Sequence, residues 1–147
     1  MTKDYTYIEF PAMRKNESFA RMVAAAFASS LDPTMDELAD IKTAVSEAVT
    51  NCVIHAYPNG EEGIVSMELS IENKDTLRVV IFDRGVGIPN ITEAMQPLYT
   101  SRPDLERSGM GFSFMEAYMD YLEVASEVGK GTRVTMTKTI KHDLAFW

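Results

Sequence analysis

Glu47-Ala48-Val49-Thr50-Asn51 lies in a stretch with helical periodicity, and Asp83-Arg84-Gly85-Val86-Gly87 ends an expected strand about thirty residues later. Around the first, Val45, Ala48, Val49, Cys52 and Val53 fall opposite Glu47 and Asn51, giving a core face and a polar face. That helix begins at Asp32-Pro33, where proline suits a first turn, or at Thr34, which can form a capping box with Glu37. It ends near Tyr57-Pro58-Asn59-Gly60. Upstream, Asn16 or Ser18 can cap a helix reaching about Ser30, with Phe19, Met22, Val23, Ala26 and Phe27 on its apolar side. A short strand, Tyr5 to Phe10, precedes it. Downstream the period changes to two: Val65, Met67, Leu69 and Ile71 alternate with polar residues. Asn73-Lys74-Asp75 turns this strand into its hairpin partner, Thr76 to Phe82. Asn90 to Arg107 reads as mostly a long, mobile segment with one helical turn around Ile91 to Met95. A helix over Met110 to Asp120 and strands near Tyr121 to Ser126 and Thr132 to Lys141 complete the chain. This order predicts one α/β domain over 1–147, a two-layer sandwich with a mixed sheet covered by helices on one face.

The 147 residues suffice for one sizeable core, and a hydrophobic content of 46% places the chain among globular proteins. Met22 to Ala28 is its longest nearly apolar run, far below the ~20 residues that span a bilayer, so no membrane segment is expected. It lies behind polar residues without a basic leader, unlike a signal peptide. A single cysteine, Cys52, cannot close an internal disulfide and suits a reducing cytoplasm; its place on the core face marks it as a packing thiol. A net charge of −8 argues against a nucleic-acid partner. It also means that an anionic ligand must be met locally by cations and oriented amides, with a divalent metal close to a physical requirement.

Chemistry concentrates at four points. A carboxylate one helical turn before an amide can serve one phosphate in two ways. Glu47 can orient or deprotonate an attacking hydroxyl, and the Asn51 oxygen can ligate a hard cation such as Mg²⁺. The same spacing also describes two residues that merely face solvent, and His55 reads as structural at the helix end. Asp83 at a strand end can accept from an adenine amino group while Gly85, Val86 and Gly87 let the ring approach the backbone; an ordinary turn uses the same residues. Ser108-Gly109-Met110-Gly111-Phe112 leads into a helix whose free amides can hold phosphate oxygens, with Arg102 and Arg107 as nearby cations. A flexible linker would look alike. Gly129-Lys130-Gly131-Thr132 suits a hairpin turn, with Thr132 as a water-mediated partner of adenine. The Walker and dinucleotide fingerprints, the protein-kinase signatures and a zinc-ligand set are absent.

Taken in order, Glu47…Asn51, Asp83-x-Gly85-x-Gly87, Gly109-x-Gly111 and Gly129-x-Gly131-Thr132 resemble the N, G1, G2 and G3 boxes of the GHKL superfamily. The resemblance implies the Bergerat ATP-binding fold. Asn16 to Arg21, Leu31 to Leu38, Ser46 to Asn51, Gln96-Pro97-Leu98 and Leu105 to Phe112 are similar to the small serine-kinase branch of anti-sigma factors, its sporulation members in particular. That branch implies a homodimer that binds and blocks a sporulation sigma factor and, using ATP, phosphorylates a serine of an anti-anti-sigma protein. By motif, Glu47 would be the general base, Asn51 the Mg²⁺ ligand and Asp83 the adenine acceptor. Ser108 to Phe112 would close over the phosphates of ATP or ADP. Cys52 and Tyr57 depart from the small or glycine-flanking residues expected there. A histidine kinase would need a dimerisation segment with an exposed acceptor histidine, for which the chain has no room. A nucleotide-gated binding module would not need Glu47. A general stress-response kinase of the same branch shares every catalytic residue, and the first strand and helix, with Phe10, offer a dimer face.

Overall fold

The computed structural model describes residues 4–58, 62–96 and 111–141. In chain order it has β1 (Tyr5–Pro11), α1 (Lys15–Ala28), a 3₁₀ turn (Ser29–Leu31), α2 (Met35–Asn51) and a π-helical turn (Cys52–Ala56). Then come β2 (Ile64–Glu72), β3 (Thr76–Asp83), α3 (Ile91–Ala94), α4 (Gly111–Tyr118), β4 (Tyr121–Glu127) and β5 (Gly131–Thr139). The strands form one sheet in the order β1-β2-β3-β5-β4, with helices layered on one face.

Each pairing is antiparallel, which corrects the expected mixed sheet. The reason is topological. Two successive helices separate β1 from β2, so the chain returns running the opposite way. The α4 crossover does bring β4 back in the direction of β3, but β5 inserts between them.

Helix α2 is the axis of the helical layer. Thr34 caps it: its hydroxyl accepts from Glu37 N at 3.1 Å while Glu37 Oε1 accepts from Thr34 N at 3.0 Å, the capping box rather than the Pro33 start. Its buried stripe of Ile41, Ala44, Val45, Ala48 and Val49 packs over Met67, Leu69, Leu77, Val79 and Ile81 of the sheet. Helix α1 is built differently from expectation. Arg14 occupies its N-cap without a side-chain capping bond, and Asn16 Nδ2 donates to Pro11 O at 2.8 Å. Its buried line is Ala20, Ala24 and Ala28, leaving Phe19 and Met22 51% and 62% exposed. Small side chains at the contact let two helices approach closely, so the alanines win the inner face.

At the other side of α2, the buried Lys138 Nζ donates to Tyr118 O at 2.6 Å and pairs with Asp40 at 3.5 Å. One side chain of β5 therefore ties the end of α4 to α2. Lys138 pairs with Leu77 near the start of β3, so this tie holds the far end of α4, while the first residue of α4, Gly111, reaches the candidate site beside Glu47 and Asn51.

Candidate nucleotide site

The polar face of α2 points where the sequence places it. A Cβ built on Gly111, the buried first residue of α4, would lie 3.2 Å from Asn51 Oδ1 and 3.3 Å from Glu47 Oε2. Carboxylate and amide thus converge on one bare backbone position. Past Asn51 the helix widens into the π turn, a deviation that recurs at functional sites. It frees the Ala56 carbonyl, which accepts from Val86 N at 2.9 Å and so holds the glycine loop after β3 against the helix end.

Asp83 terminates β3 with its side chain turned inward, 7% exposed. Its Oδ1 accepts from Gly85 N at 2.9 Å and from Thr132 N at 3.3 Å. Burial raises its pKa from the ordinary aspartate value, opposed by the Gly85 amide, the Cys52 thiol and the Thr132 amide. Cys52 is therefore both a core residue and a neighbour of the chemistry. Burial, and then the charge of Asp83, push its own pKa well up, so the thiol stays protonated. Tyr57 anchors the loop from behind: its hydroxyl donates to Ile64 O at 2.8 Å and accepts from Arg84 N at 3.0 Å.

Gly131 and Gly85 are dictated by close approach. At Gly131, φ is +118° and a Cβ would stand 2.1 Å from Asp83 O. At Gly85 a Cβ would stand 2.2 Å from Ala56 O and 2.6 Å from Ala56 Cβ, neither of which can yield without moving the helix end. Gly85→Ala is expected to destabilise the protein by about 1–3 kcal/mol. A urea midpoint equal to wild type would show that the loop does not pack on Ala56.

These elements enclose a cavity of about 450 Å³, within the range of small-molecule sites. Asn51, Asp83, Val86, Gly87, Phe112 and Thr132 line it, six of the positions singled out in the sequence. Gly111 lines it as well, with Glu47 against it, and Gly85 packs on Ala56, another of its lining residues. His55 borders the same space on the π turn. Ser108, Gly109, Met110, Arg102 and Arg107 lie outside the described residues. Motif reading missed the Ala56 carbonyl, the Tyr57 hydroxyl and Ser126, whose Oγ lies 2.8 Å from Thr132 Oγ1. Only Ser126 had left a signal, because a hairpin ending at Ser126 and restarting at Thr132 pairs the two directly. Among the described residues no cluster of three metal-ligating side chains occurs, and no helix is long and apolar enough to cross a membrane.

An antiparallel sheet under one helical layer, with a cavity between a helix end and a strand-end aspartate, agrees with the nucleotide-binding fold that the motifs imply. The chain belongs to the family of histidine kinase-like ATPase domains, whose model matches residues 10–138. It is 57% identical to the anti-sigma F factor of Clostridium beijerinckii over 138 residues, 94% of this chain and 96% of that one. With the anti-sigma F factor of Clostridium kluyveri it shares 60% over 131 residues, 89% and 91% of the two chains. Among solved structures, it superposes on the RsbU and RsbW domains of a Mycobacterium tuberculosis protein with a TM-score of 0.67 at 18% identity, covering 95% of this chain and 33% of that one. The mycobacterial sensor histidine kinase MprB gives 0.57 at 16% identity, covering 95% and 99%. At such identities these two likenesses establish the fold.

Proposed function

We propose that this chain is an anti-sigma factor that doubles as an ATP-dependent serine kinase. It binds and inhibits a sporulation sigma factor in the cytoplasm, and inactivates an anti-anti-sigma protein by phosphorylating one of its serines. The observation that carries the kinase half is the convergence of Glu47 Oε2 and Asn51 Oδ1 at Gly111. The anti-sigma half is supported by the names of relatives at 57% and 60% identity.

In this reading adenine enters beside Asp83, and the phosphates extend along the cavity toward Gly111 and the start of α4. The residues present fit Mg²⁺. An amide oxygen and a carboxylate face a backbone position with no side chain to fill the gap, and Mg²⁺ commonly takes only one or two protein ligands, with waters and phosphates completing its shell. Asn51 would hold the ion, which when bound neutralises phosphate charge on this acidic chain. Glu47 accepts the proton of the acceptor serine as its oxygen bonds the γ-phosphorus. The bond from that phosphorus to the β–γ bridging oxygen breaks, and ADP leaves with that oxygen.

A homodimer would use the outer side of α1, where Phe19 and Met22 are exposed. Phe10 does not share that surface; it is buried, with Phe19 packed edge-on 6.3 Å away.

The test is incubation with labelled Mg-ATP and a candidate anti-anti-sigma protein. Acid-stable label on a partner serine is expected. Saturable ATP binding without label on any partner would leave a nucleotide-gated binding module, and acid-labile label would indicate histidine chemistry.

A further inference from the structure

We propose that Ser126 sets the base specificity of the cavity by fixing the direction of the Thr132 hydroxyl hydrogen. The inference rests on the reading above, in which a nucleobase lies beside Asp83, and adds to it a residue outside the sequence motifs.

A serine hydroxyl has one hydrogen to donate and two lone pairs to accept with. All three are accounted for at Ser126. Gly131 O lies 3.0 Å from its Oγ, and a carbonyl can only accept, so Ser126 donates there. The Ile88 amide donates to Ser126 Oγ at 2.7 Å. The remaining neighbour is Thr132 Oγ1 at 2.8 Å. With the Ser126 hydrogen already spent, Thr132 must be the donor of that bond. Its hydrogen therefore points at Ser126, and toward the cavity it presents lone pairs alone.

Asp83 presents the same polarity. Its Oδ1 takes the Gly85 and Thr132 amides, and the ionised carboxylate has no hydrogen to offer. Both residues line the cavity, so where they meet a base their side chains accept and do not donate. A purine with an amino group at position 6 supplies the hydrogens that such side chains require. A purine with a carbonyl there sets an acceptor against acceptors and leaves them unpaired, which is the more costly mismatch. Removing Ser126 releases the Thr132 hydroxyl to rotate and donate into the cavity, which relieves that mismatch for a 6-oxopurine.

The experiment is calorimetric titration of the full chain with Mg-ATP and with Mg-GTP. Ser126→Ala is expected to lower the ratio of ATP to GTP affinity by roughly tenfold. Ser126→Thr, which keeps the hydroxyl, should hold the wild-type ratio. Thr132→Val removes the hydroxyl being oriented and leaves the Ile88 amide bonded to Ser126. It too should lower the ratio, and adding Ser126→Ala to it should change the ratio no further. A purely structural role would weaken both nucleotides in parallel, so an unchanged ratio in Ser126→Ala overturns the proposal. Should that variant not fold, an unchanged ratio in Thr132→Val overturns it equally. A wild-type protein that binds neither nucleotide would instead remove the nucleotide reading itself, and this inference with it.

Discussion

Glu47→Ala is expected to bind Mg-ATP about as well as wild type while transferring phosphate to a partner serine roughly 10²–10⁴ times more slowly, the usual contribution of a positioned general base. Glu47 belongs to the rigid middle of the site. It projects from a helix buried along Ala44, Val45, Ala48 and Val49, and its Oε2 is 3.3 Å from the position of a Gly111 Cβ. The cavity residues near the expected base lie elsewhere, at Asp83 and Thr132, so truncating Glu47 removes nothing that holds adenine. Glu47→Gln should fail to the same degree, because it keeps the shape and loses the basicity. Single-turnover transfer and equilibrium ATP titration must be measured separately. Transfer at the wild-type rate would end the base assignment. A parallel loss of ATP affinity would make Glu47 a binding residue instead.

What the sequence made legible was whatever a period or a turn encodes locally. The 3.6 period of α2 put Glu47 and Asn51 opposite the residues that bury it, and the structure keeps both faces. The strand expected over Thr76 to Phe82 delivered Asp83 at its end, and the strand indeed ends there with its side chain inward. Features made by distant partners were not legible. The π turn at Cys52–Ala56 carries helix-compatible residues, and its consequence is a bond to Val86 contributed by another element. On α1 the larger apolar residues suggested Phe19 and Met22 as the inner face, but close packing on α2 selected Ala20, Ala24 and Ala28. The direction of pairing depends on where β5 inserts, which no local pattern states. Ser66 and Ser70 show the same limit from the other side. They read as solvent-facing, yet both are buried within the sheet, and Tyr7 and Phe82 meet 6.4 Å apart over that face.

Asp83→Asn should separate binding from stability in opposite directions. The side-chain oxygen of asparagine can still take the Gly85 and Thr132 amides, which are now 2.9 Å and 3.3 Å from Oδ1, so the loop keeps its anchor. The other atom changes from an acceptor to an NH₂ donor, and a donor facing the adenine amino group loses a bond and creates a conflict. ATP affinity is expected to fall roughly 30- to 100-fold. Stability should move the other way. Burial raises the pKa of Asp83 in the folded protein, so the folded state holds that proton more tightly than the unfolded chain does. Keeping the group ionised at neutral pH therefore costs stability, and the cost disappears as the pH falls through the folded-state pKa. Without nucleotide, the asparagine variant is expected to melt above wild type at pH 7, the gap closing toward acid. The same titration should remove ATP binding from wild type, since a protonated Asp83 accepts poorly. A variant that melts below wild type at pH 7 while still binding ATP would mark Asp83 as a strand-end structural residue and move the base-recognition role elsewhere in the cavity.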